Sequence, residues 1–464
     1  MFYDELSTLQ IPLPEDIRRL EGHGDFDRAL RVIERRASDE RLPEALRTRL
    51  RLEALMIARV PGDYPYTLGD AAKMLEDELA DFRPGELDGF IDDGWVNWIY
   101  VNGEMRLHRL FLPNLLKTRP ELAHRVLKPE RLAYKKQNFA ILDGVVREMK
   151  AHGFAARRWH VRHELSVKPE FTRIGEPIRV DLPLPVEYDC VRNFKLIDRG
   201  PVPGTVAPPD AAQRTIVFEK KLSPGDVFFV EYSFETHMRY RDLDPALATG
   251  GVPSDGEDCL SEQPPHIAFT PLVRAFAQEI AGDEKNPLLL ARRVYDALTQ
   301  RPIYSYVRSY FTYPNLVEYM LADMKGDCGI FALSFITLCR CLGIPARWQS
   351  GLYCAPHDVG NHDWAQFYCE PWGWLPVDGS YGNAAWHAGD RERWDFYFGH
   401  MDPFRLPAAR AFQAPFDPPK RHVRSDPYDN QDGEAEYADM GLLSRHFDQR
   451  CRLLSWEKLT STEE

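Results

Sequence analysis

The chain has 464 residues, a formal net charge of −13 at pH 7 and 44% hydrophobic residues. This length fits roughly three domains, and the acidic balance argues against nucleic acid as a partner. The sequence has no apolar run near the ~20 residues that cross a bilayer, and its opening lacks the basic and apolar parts of a secretion signal. Eight scattered cysteines suit a reducing compartment. We therefore expect a cytoplasmic protein that binds neither nucleic acid nor membrane; its oligomeric state stays open.

Residues 1–155 have a mainly helical pattern. Apolar residues recur at helical spacing over 25–36 and, after a Leu-Pro break, over 46–57, which predicts a helical hairpin. Residues 95–108 instead predict a β-hairpin that turns at Asn102-Gly103, the dipeptide most typical of a two-residue turn. Nothing in this N-terminal region indicates a partner.

Residues 156–240 change to a strand pattern. Polar and apolar residues alternate over 159–167 and 178–182, and further strands are predicted over 215–219 and 227–234. Several short strands in succession predict an immunoglobulin-like β-sandwich. A Gly/Pro/acidic linker at 249–258 then leads into two predicted helices.

The remaining sequence divides into a core over 241–410 and a C-terminal extension over 411–464. Within it, residues 394–405 and the Pro-rich 414–420 predict loops that wrap the core. The segment after Ser425 is polar and acidic, so it predicts an open, solvated tail.

Cys328 begins the most informative segment of the chain. The run 328–342 has no Pro and many apolar residues, so it predicts a buried helix with Cys328 in its first turn. Backbone N–H groups and the positive end of the helix dipole meet there, and both favour the thiolate, the reactive form of cysteine. The same N–H groups can bind the oxyanion of a tetrahedral intermediate. Cys339 and Cys341, deeper in the helix, fit the ordinary role of packed core cysteines better.

His362 and Asp378 are predicted to lie near each other across a hairpin. Three strands follow the helix, over 346–351, 362–369 and 374–378. Because side chains alternate along a strand, His362 shares a face with Trp364, and Asp378 shares a face with Trp374. If these two faces coincide, Asp378 can orient the imidazole of His362.

Together these motifs resemble the transglutaminase-like superfamily of cysteine enzymes. The resemblance covers roughly 271–380 and rests on four motifs, at 326–329, 342–347, 362–365 and 374–378. It implies an α+β fold with a papain-like, transglutaminase-like core, in which the nucleophile helix packs on an antiparallel sheet. It further implies that Cys328 is the nucleophile, His362 its base and Asp378 the orienting group. Bacterial members often place a β-sandwich before this core, an order that this chain resembles.

The resemblance also implies an oxyanion donor upstream of the nucleophile. Family members tend to place an aromatic residue or Gln upstream of the nucleophile, and Tyr304, Tyr306 and Tyr310 precede Cys328 here. Tyr306 is the candidate for this role.

The predicted activity is acyl transfer from an amide bond through a thioester on Cys328. Water as the acceptor gives a peptidase or amidase, the outcome that the bacterial resemblance favours, whereas an amine gives a protein-glutamine transamidase. A non-catalytic binding protein on the same fold and an arylamine acyltransferase that uses acyl-CoA are the alternatives. The predicted partner is a peptide or protein amide substrate, and no cofactor is predicted.

A zinc site is the competing use of the same residue types. Cys339, Cys341, Cys354 and His357 have a spacing that superficially offers four ligands. Two cysteines two apart on a helix point about 200° apart, so they cannot easily hold one ion. No metal site is therefore predicted.

Overall fold

The computed structural model of the chain describes residues 2–128, 130–187, 190–254, 258–356 and 358–460, with the backbone alone at 2–3, 130–137 and 358. Helices and largely antiparallel sheets are mixed, which confirms the predicted α+β class. The chain forms two compact units. The first contains Met1–Phe139, Glu262–Val273 and Arg301–Ile330, and the second contains Ala140–Ser261, Arg274–Gln300 and Phe331–Glu464. The four predicted regions, with borders at 155, 240 and 410, stay a prediction of domain organisation.

Helices dominate the first unit, as the N-terminal pattern predicted. Its helices are Phe2–Glu5, Glu15–Gly22, Phe26–Ala37, Glu44–Ile57, Val60–Asp63, Leu68–Glu76, Gly85–Asp92, Phe111–Thr118 and Leu316–Asp323. The side chain of Asp25 caps Phe26–Ala37 by accepting from the Arg28 amide. The predicted hairpin is confirmed: Val101 pairs with Glu104 across Asn102 and Gly103, whose positive φ angles a two-residue turn requires.

A short parallel strand pair in the first unit lies just before Cys328. Lys325–Gly326 pairs with Ile303–Tyr304, with Gly326 opposite Tyr304. The amide of Ser305 also donates to the Gly326 carbonyl at 2.8 Å. The tyrosine-rich segment is therefore held against the loop that enters the nucleophile helix.

The second unit contains a two-sheet sandwich whose strands confirm those predicted within 156–240. One sheet has the order Phe447–Leu459, Phe154–Val167, Phe228–Arg239 and Val191–Gly200. The other has the order Glu434–Tyr437, Pro177–Pro183, Thr215–Lys221 and Thr205–Val206. The rings of Phe218 and Phe228, one from each sheet, pack with centroids 5.9 Å apart.

The prediction of an open tail after Ser425 is wrong. Glu434–Tyr437 and Phe447–Leu459 are outer strands of the two sheets, so this part of the chain is ordered by backbone pairing. The acidic residues that suggested a solvated tail are partnered instead: buried Glu434 accepts from Lys420 Nζ at 2.8 Å and from the amides of Ser425 and Asp426.

A separate four-stranded antiparallel sheet carries the predicted motifs. Its order is Gly373–Val377, Asp358–Cys369, Ala346–Ala355 and Arg405–Ala409. The helix Cys328–Cys341 packs on it through Phe335 and Phe367, whose ring centroids are 5.9 Å apart, so the predicted helix on an antiparallel sheet is confirmed. The other helices here are Pro271–Ala281, Pro287–Gln300, Gly379–His387 and Arg391–Phe396, and Glu130–His152 precedes the sandwich.

The loop predicted over 394–405 is partly wrong. Its first residues end the helix Arg391–Phe396, which Asp390 caps through the Arg393 amide. Its last residue begins a strand, because Arg405 pairs with Tyr353. Across the described residues, no helix combines the length and apolar character needed to cross a membrane.

Candidate active site

The hairpin brings His362 and Asp378 together. Tyr368 lies opposite Trp374 and Gln366 opposite Pro376, so the two faces predicted from alternation do coincide. His362 Nε2 is 2.6 Å from Asp378 Oδ2, and both side chains are buried. The Tyr381 ring packs edge-on against the imidazole, with centroids 4.9 Å apart. The imidazole is therefore held by both a carboxylate and an aromatic wall.

Asp378 is fixed at the point where the third strand becomes a helix. It is the N-cap of Gly379–His387, and its Oδ1 accepts from the Tyr381 amide at 2.8 Å and from the Ser380 hydroxyl at 2.9 Å. One oxygen thus anchors the carboxylate, while the other faces His362.

Arg405 is a third member of this group that the sequence analysis missed. It is fully buried, with Nη1 2.8 Å from Asp378 Oδ2 and Nη2 2.6 Å from Asp402 Oδ2. The guanidinium also lies over the Tyr381 ring, 4.6 Å from its centroid. The only sequence signal was the acid and base three apart at 402 and 405, which is weak.

Gly351 explains how the strand with Arg405 approaches so closely. It lies opposite His362 in one strand pair and opposite Pro407 in the other. A Cβ atom at Gly351 would be 2.0 Å from the Leu406 carbonyl oxygen. Any side chain there would push away the strand that begins at Arg405.

The charge states of His362 and Asp378 follow from burial and from the neighbouring Arg405. Burial alone would raise the pKa of Asp378, but His362 and Arg405 outweigh it, so this pKa lies below its usual range. Burial also lowers the pKa of His362, with Arg405 reinforcing the effect and Asp378 opposing it. The consistent assignment is an anionic carboxylate that accepts a hydrogen bond from Nε2–H of a neutral imidazole, which leaves Nδ1 as a base.

Cys328 lies where the sequence predicts, at the first residue of the helix Cys328–Cys341, and it is half-buried. Next to it, the Tyr310 hydroxyl donates to Asp327 and accepts from the Gly329 amide at 3.1 Å. The Ile330 amide donates to Asp327 as well. The amides of Gly329 and Ile330 therefore already have acceptors, and the prediction that first-turn amides bind an oxyanion stays a prediction.

The pKa of Asp327 is shifted in the opposite direction to that of Asp378. Burial raises its pKa to about 6, although hydrogen bonds from Tyr310 and the backbone lower it. The structure describes no cation beside it that would counter the loss of water.

Asn114 holds the backbone of Tyr306. Asn114 accepts from the Tyr306 amide at 2.7 Å and donates to its carbonyl at 2.8 Å. Lys117 Nζ lies 3.3 Å from the Tyr304 ring centroid and 5.0 Å from that of Tyr306. Its role as an oxyanion donor stays a prediction, whereas Tyr310 is the tyrosine that contacts the first helical turn.

The structure pairs His362 with Asp378 within the second unit, and Cys328 belongs to the first. The same helix continues into the second unit at Phe331, three residues after Cys328. There Phe331 packs on Gly379, the residue after Asp378: a Cβ atom at Gly379 would be 3.3 Å from Phe331 Cδ1.

Residues 274–379 match the model of the Transglutaminase-like superfamily. The match confirms the resemblance over this stretch, which holds Cys328, His362 and Asp378 and ends before Arg405. No curated protein matches the chain. The family match is therefore confined to residues 274–379.

Two solved structures are similar to larger parts of the chain. A candidate cysteine protease from Cytophaga hutchinsonii is 14% identical, covers 65% of this chain and 91% of its own, and has a TM-score of 0.41. The periplasmic domain of TgpA from Pseudomonas aeruginosa is 17% identical, covers 54% of this chain and 96% of its own, and has a TM-score of 0.27. Similarity at this level carries neither activity nor location over to this protein.

The competing zinc set has no support from geometry. Among the described residues, no group of three or more His, Cys, Asp or Glu side chains is placed to hold a metal ion. Cys339 and Cys354 are buried, and His357 lies outside the described residues.

Proposed function

We propose that this protein is an enzyme that cleaves amide bonds by acyl transfer to Cys328, with His362 as general base and acid and Asp378 as the orienting group. The observation that carries the proposal is the 2.6 Å pairing of buried His362 and Asp378 in the transglutaminase-like stretch. The start of a helix at Cys328 and the packing of Phe331 on Gly379 support it further.

In this mechanism His362 takes the thiol proton on Nδ1, and the thiolate attacks the amide carbon. The tetrahedral intermediate collapses as the imidazolium protonates the leaving amine, which leaves an acyl group on Cys328 as a thioester. His362 then takes a proton from water, the water oxygen attacks the thioester, and the acid is released as the thiol regains its proton. Asp378 holds the imidazole tautomer throughout, and Arg405 keeps Asp378 charged.

Hydrolysis is the form of the reaction that we propose, because many bacterial proteins with this core are regarded as peptidases. Transamidation differs only in the second step, where a primary amine replaces water. The cytoplasmic location and the peptide or protein substrate belong to the same proposal.

Alkylation of Cys328 tests the proposal directly. The protein is treated with iodoacetamide at about pH 6, where an ordinary thiol is under about 1% thiolate, and the modified residue is located by mass spectrometry. We expect one fast modification, on Cys328, that is lost in Cys328→Ala and slowed at least about tenfold in His362→Ala. Cys341→Ala is the matched control, because Cys341 is also half-buried and lies at the far end of the same helix.

The opposite result is labelling of Cys328 no faster than of Cys341, or labelling that does not depend on His362. Either would reject an activated thiolate and favour a binding protein on this fold. With an active enzyme, release of free acid from peptide amides identifies a hydrolase, and incorporation of a fluorescent primary amine into protein identifies a transamidase.

A further inference from the structure

A cavity of about 320 Å³ in the second unit opens on the sheet face that carries His362 and Asp378. Gln349 lies directly opposite Trp364, and Gln366 directly opposite Pro376, so all four lining residues share one face of the sheet. Trp364 also stacks on His362, with ring centroids 6.0 Å apart. The cavity is therefore separated from the imidazole by a single tryptophan ring.

The cavity is lined by positive charge. Arg192, Arg239 and Arg241 line it, and no carboxylate does among the described residues. His237, also in the wall, is paired with Glu235 at 3.0 Å, so that local carboxylate already has a partner. A guanidinium forms its best hydrogen bonds with carboxylates and phosphates, which it can bind through two parallel N–H groups.

Two glutamine amides add neutral donors to the same site. Gln349 is 1% exposed, and its Nε2 has no hydrogen-bond partner among the described residues. Gln366 accepts from Arg347 Nε at 2.8 Å, so its carbonyl is occupied and its NH₂ group is the part left for a ligand. A buried donor without an acceptor is unfavourable, and an anionic oxygen in the cavity would supply the missing acceptor.

The apolar walls and the size limit the ligand. Trp364, Trp372 and Trp374 supply flat surfaces for methylene groups. A volume near 320 Å³ is at the small end of ligand pockets, enough for one or two amino-acid residues. Two residues of strand rise about 7 Å, so a group bound beside Trp364 is within reach of an amide placed at His362.

We infer that this cavity binds the carboxylate of an acidic peptide and so selects acidic peptides as ligands. If the cavity is a subsite for the substrate, the inference rests on the proposed function. If the cavity only binds acidic peptides, the inference does not depend on that function. Arg239 and Gln349 are the residues on which the inference depends most, one for charge and one for the buried donor.

The test measures binding without turnover, by ligand-observed NMR titration of the full chain carrying Cys328→Ala. The probes are acetyl-Ala-Glu-Ala-amide, acetyl-Ala-Gln-Ala-amide and acetyl-Ala-Gln-Ala with a free C-terminal carboxylate. We expect the glutamyl peptide to bind about tenfold more tightly than the neutral glutaminyl amide. Arg239→Gln and Gln349→Leu should each remove most of this difference.

Arg199→Gln is the matched control, because Arg199 is exposed on the same strand as Arg192 and does not line the cavity. It should leave both affinities unchanged. Arg239 is itself exposed, so Arg239→Gln should fold even if Gln349→Leu does not.

Equal binding of the glutamyl and glutaminyl amides, or a glutamyl preference that survives Arg239→Gln, would overturn the inference. Tight binding of the free-acid peptide would support it and identify a chain end as the source of the carboxylate. Failure of the alkylation test leaves these results intact, because the variant used here has no thiol at residue 328; the failures of the two proposals are therefore distinguishable.

Discussion

Asp378 in the second unit and Asp327 in the first precede helices in the same way, yet the protein surrounds them differently. Asp378 is fully buried between His362 and Arg405, and its pKa is lowered. Asp327 is only partly buried and receives hydrogen bonds from Tyr310 and the backbone, yet its pKa is raised to about 6. Of these two residues, the carboxylate with a neighbouring cation has the lowered pKa, although it is the more deeply buried.

Asp378→Asn should have the largest effect of the changes at these two sites. It keeps the size of the side chain but removes the charge that fixes the His362 tautomer, so we expect the turnover of an amide substrate to fall about 10³–10⁴-fold. The kcat/KM values of the variant and the native protein give the answer. Asp395→Asn, at an exposed position, is the control. Activity within tenfold of the native protein would show that Asp378 is not the orienting group.

Arg405→Met tests the comparison by removing the cation beside Asp378. It leaves Asp378 and Asp402 buried without their cation, so we expect the free energy of unfolding to fall by about 3–5 kcal/mol. Urea unfolding measures it, with Arg450→Met as an exposed control. Adding Asp402→Asn should restore part of the loss. A change below about 1 kcal/mol would mean that Arg405 does not hold these charges.

Asp327→Asn tests the raised pKa of Asp327 through the pH dependence of stability. With a pKa near 6 in the folded state and 3.8 as the ordinary value, the folded protein binds more protons than the unfolded chain between these values. The contribution of Asp327 to unfolding free energy therefore falls as the pH rises from about 4 to about 6, by about 1–3 kcal/mol in total, and is constant above that. Urea unfolding at several pH values, native minus variant, isolates this slope. A difference that rises with pH would show that the pKa of Asp327 is lowered instead.

Tyr310→Phe should have the smallest effect. It removes the hydroxyl that joins Asp327 to the Gly329 amide, so we expect a loss of about 1 kcal/mol in unfolding free energy. Because that hydroxyl lowers the pKa of Asp327, the pH-dependent slope should also extend to higher pH. Tyr100→Phe, on an exposed ring, is the control. An unchanged slope would show that the Tyr310 hydroxyl does not affect the pKa of Asp327.

The motif stretch was predictable because its signals are local. The helix at Cys328 follows from an uninterrupted apolar run, and the shared face of His362 and Asp378 follows from side-chain alternation across a short turn. The observed pairing of Tyr368 with Trp374 confirms that register. Local period and turn chemistry were enough to bring two of the proposed catalytic residues together.

Arg405 was not predictable in the same way. It lies on a strand that pairs with Ala346–Ala355, and nothing in its own segment shows that the strand enters this sheet. A buried arginine between two aspartates has no periodic signal. The engagement of the Gly329 amide was missed for a similar reason, because its acceptor, Tyr310, lies 19 residues earlier in the chain.

The outer strand Phe447–Leu459 has a consequence for how the protein is made. Its partner, Phe154–Val167, has Phe228–Arg239 on the other side, so that second neighbour leaves the ribosome first. At 5–20 residues per second, the intervening stretch of roughly 200 residues takes about 10–40 s to synthesise. During that interval one edge of Phe154–Val167 stays open, and a second nascent chain can supply the missing strand. This edge is therefore open to strand exchange until Phe447–Leu459 pairs with it.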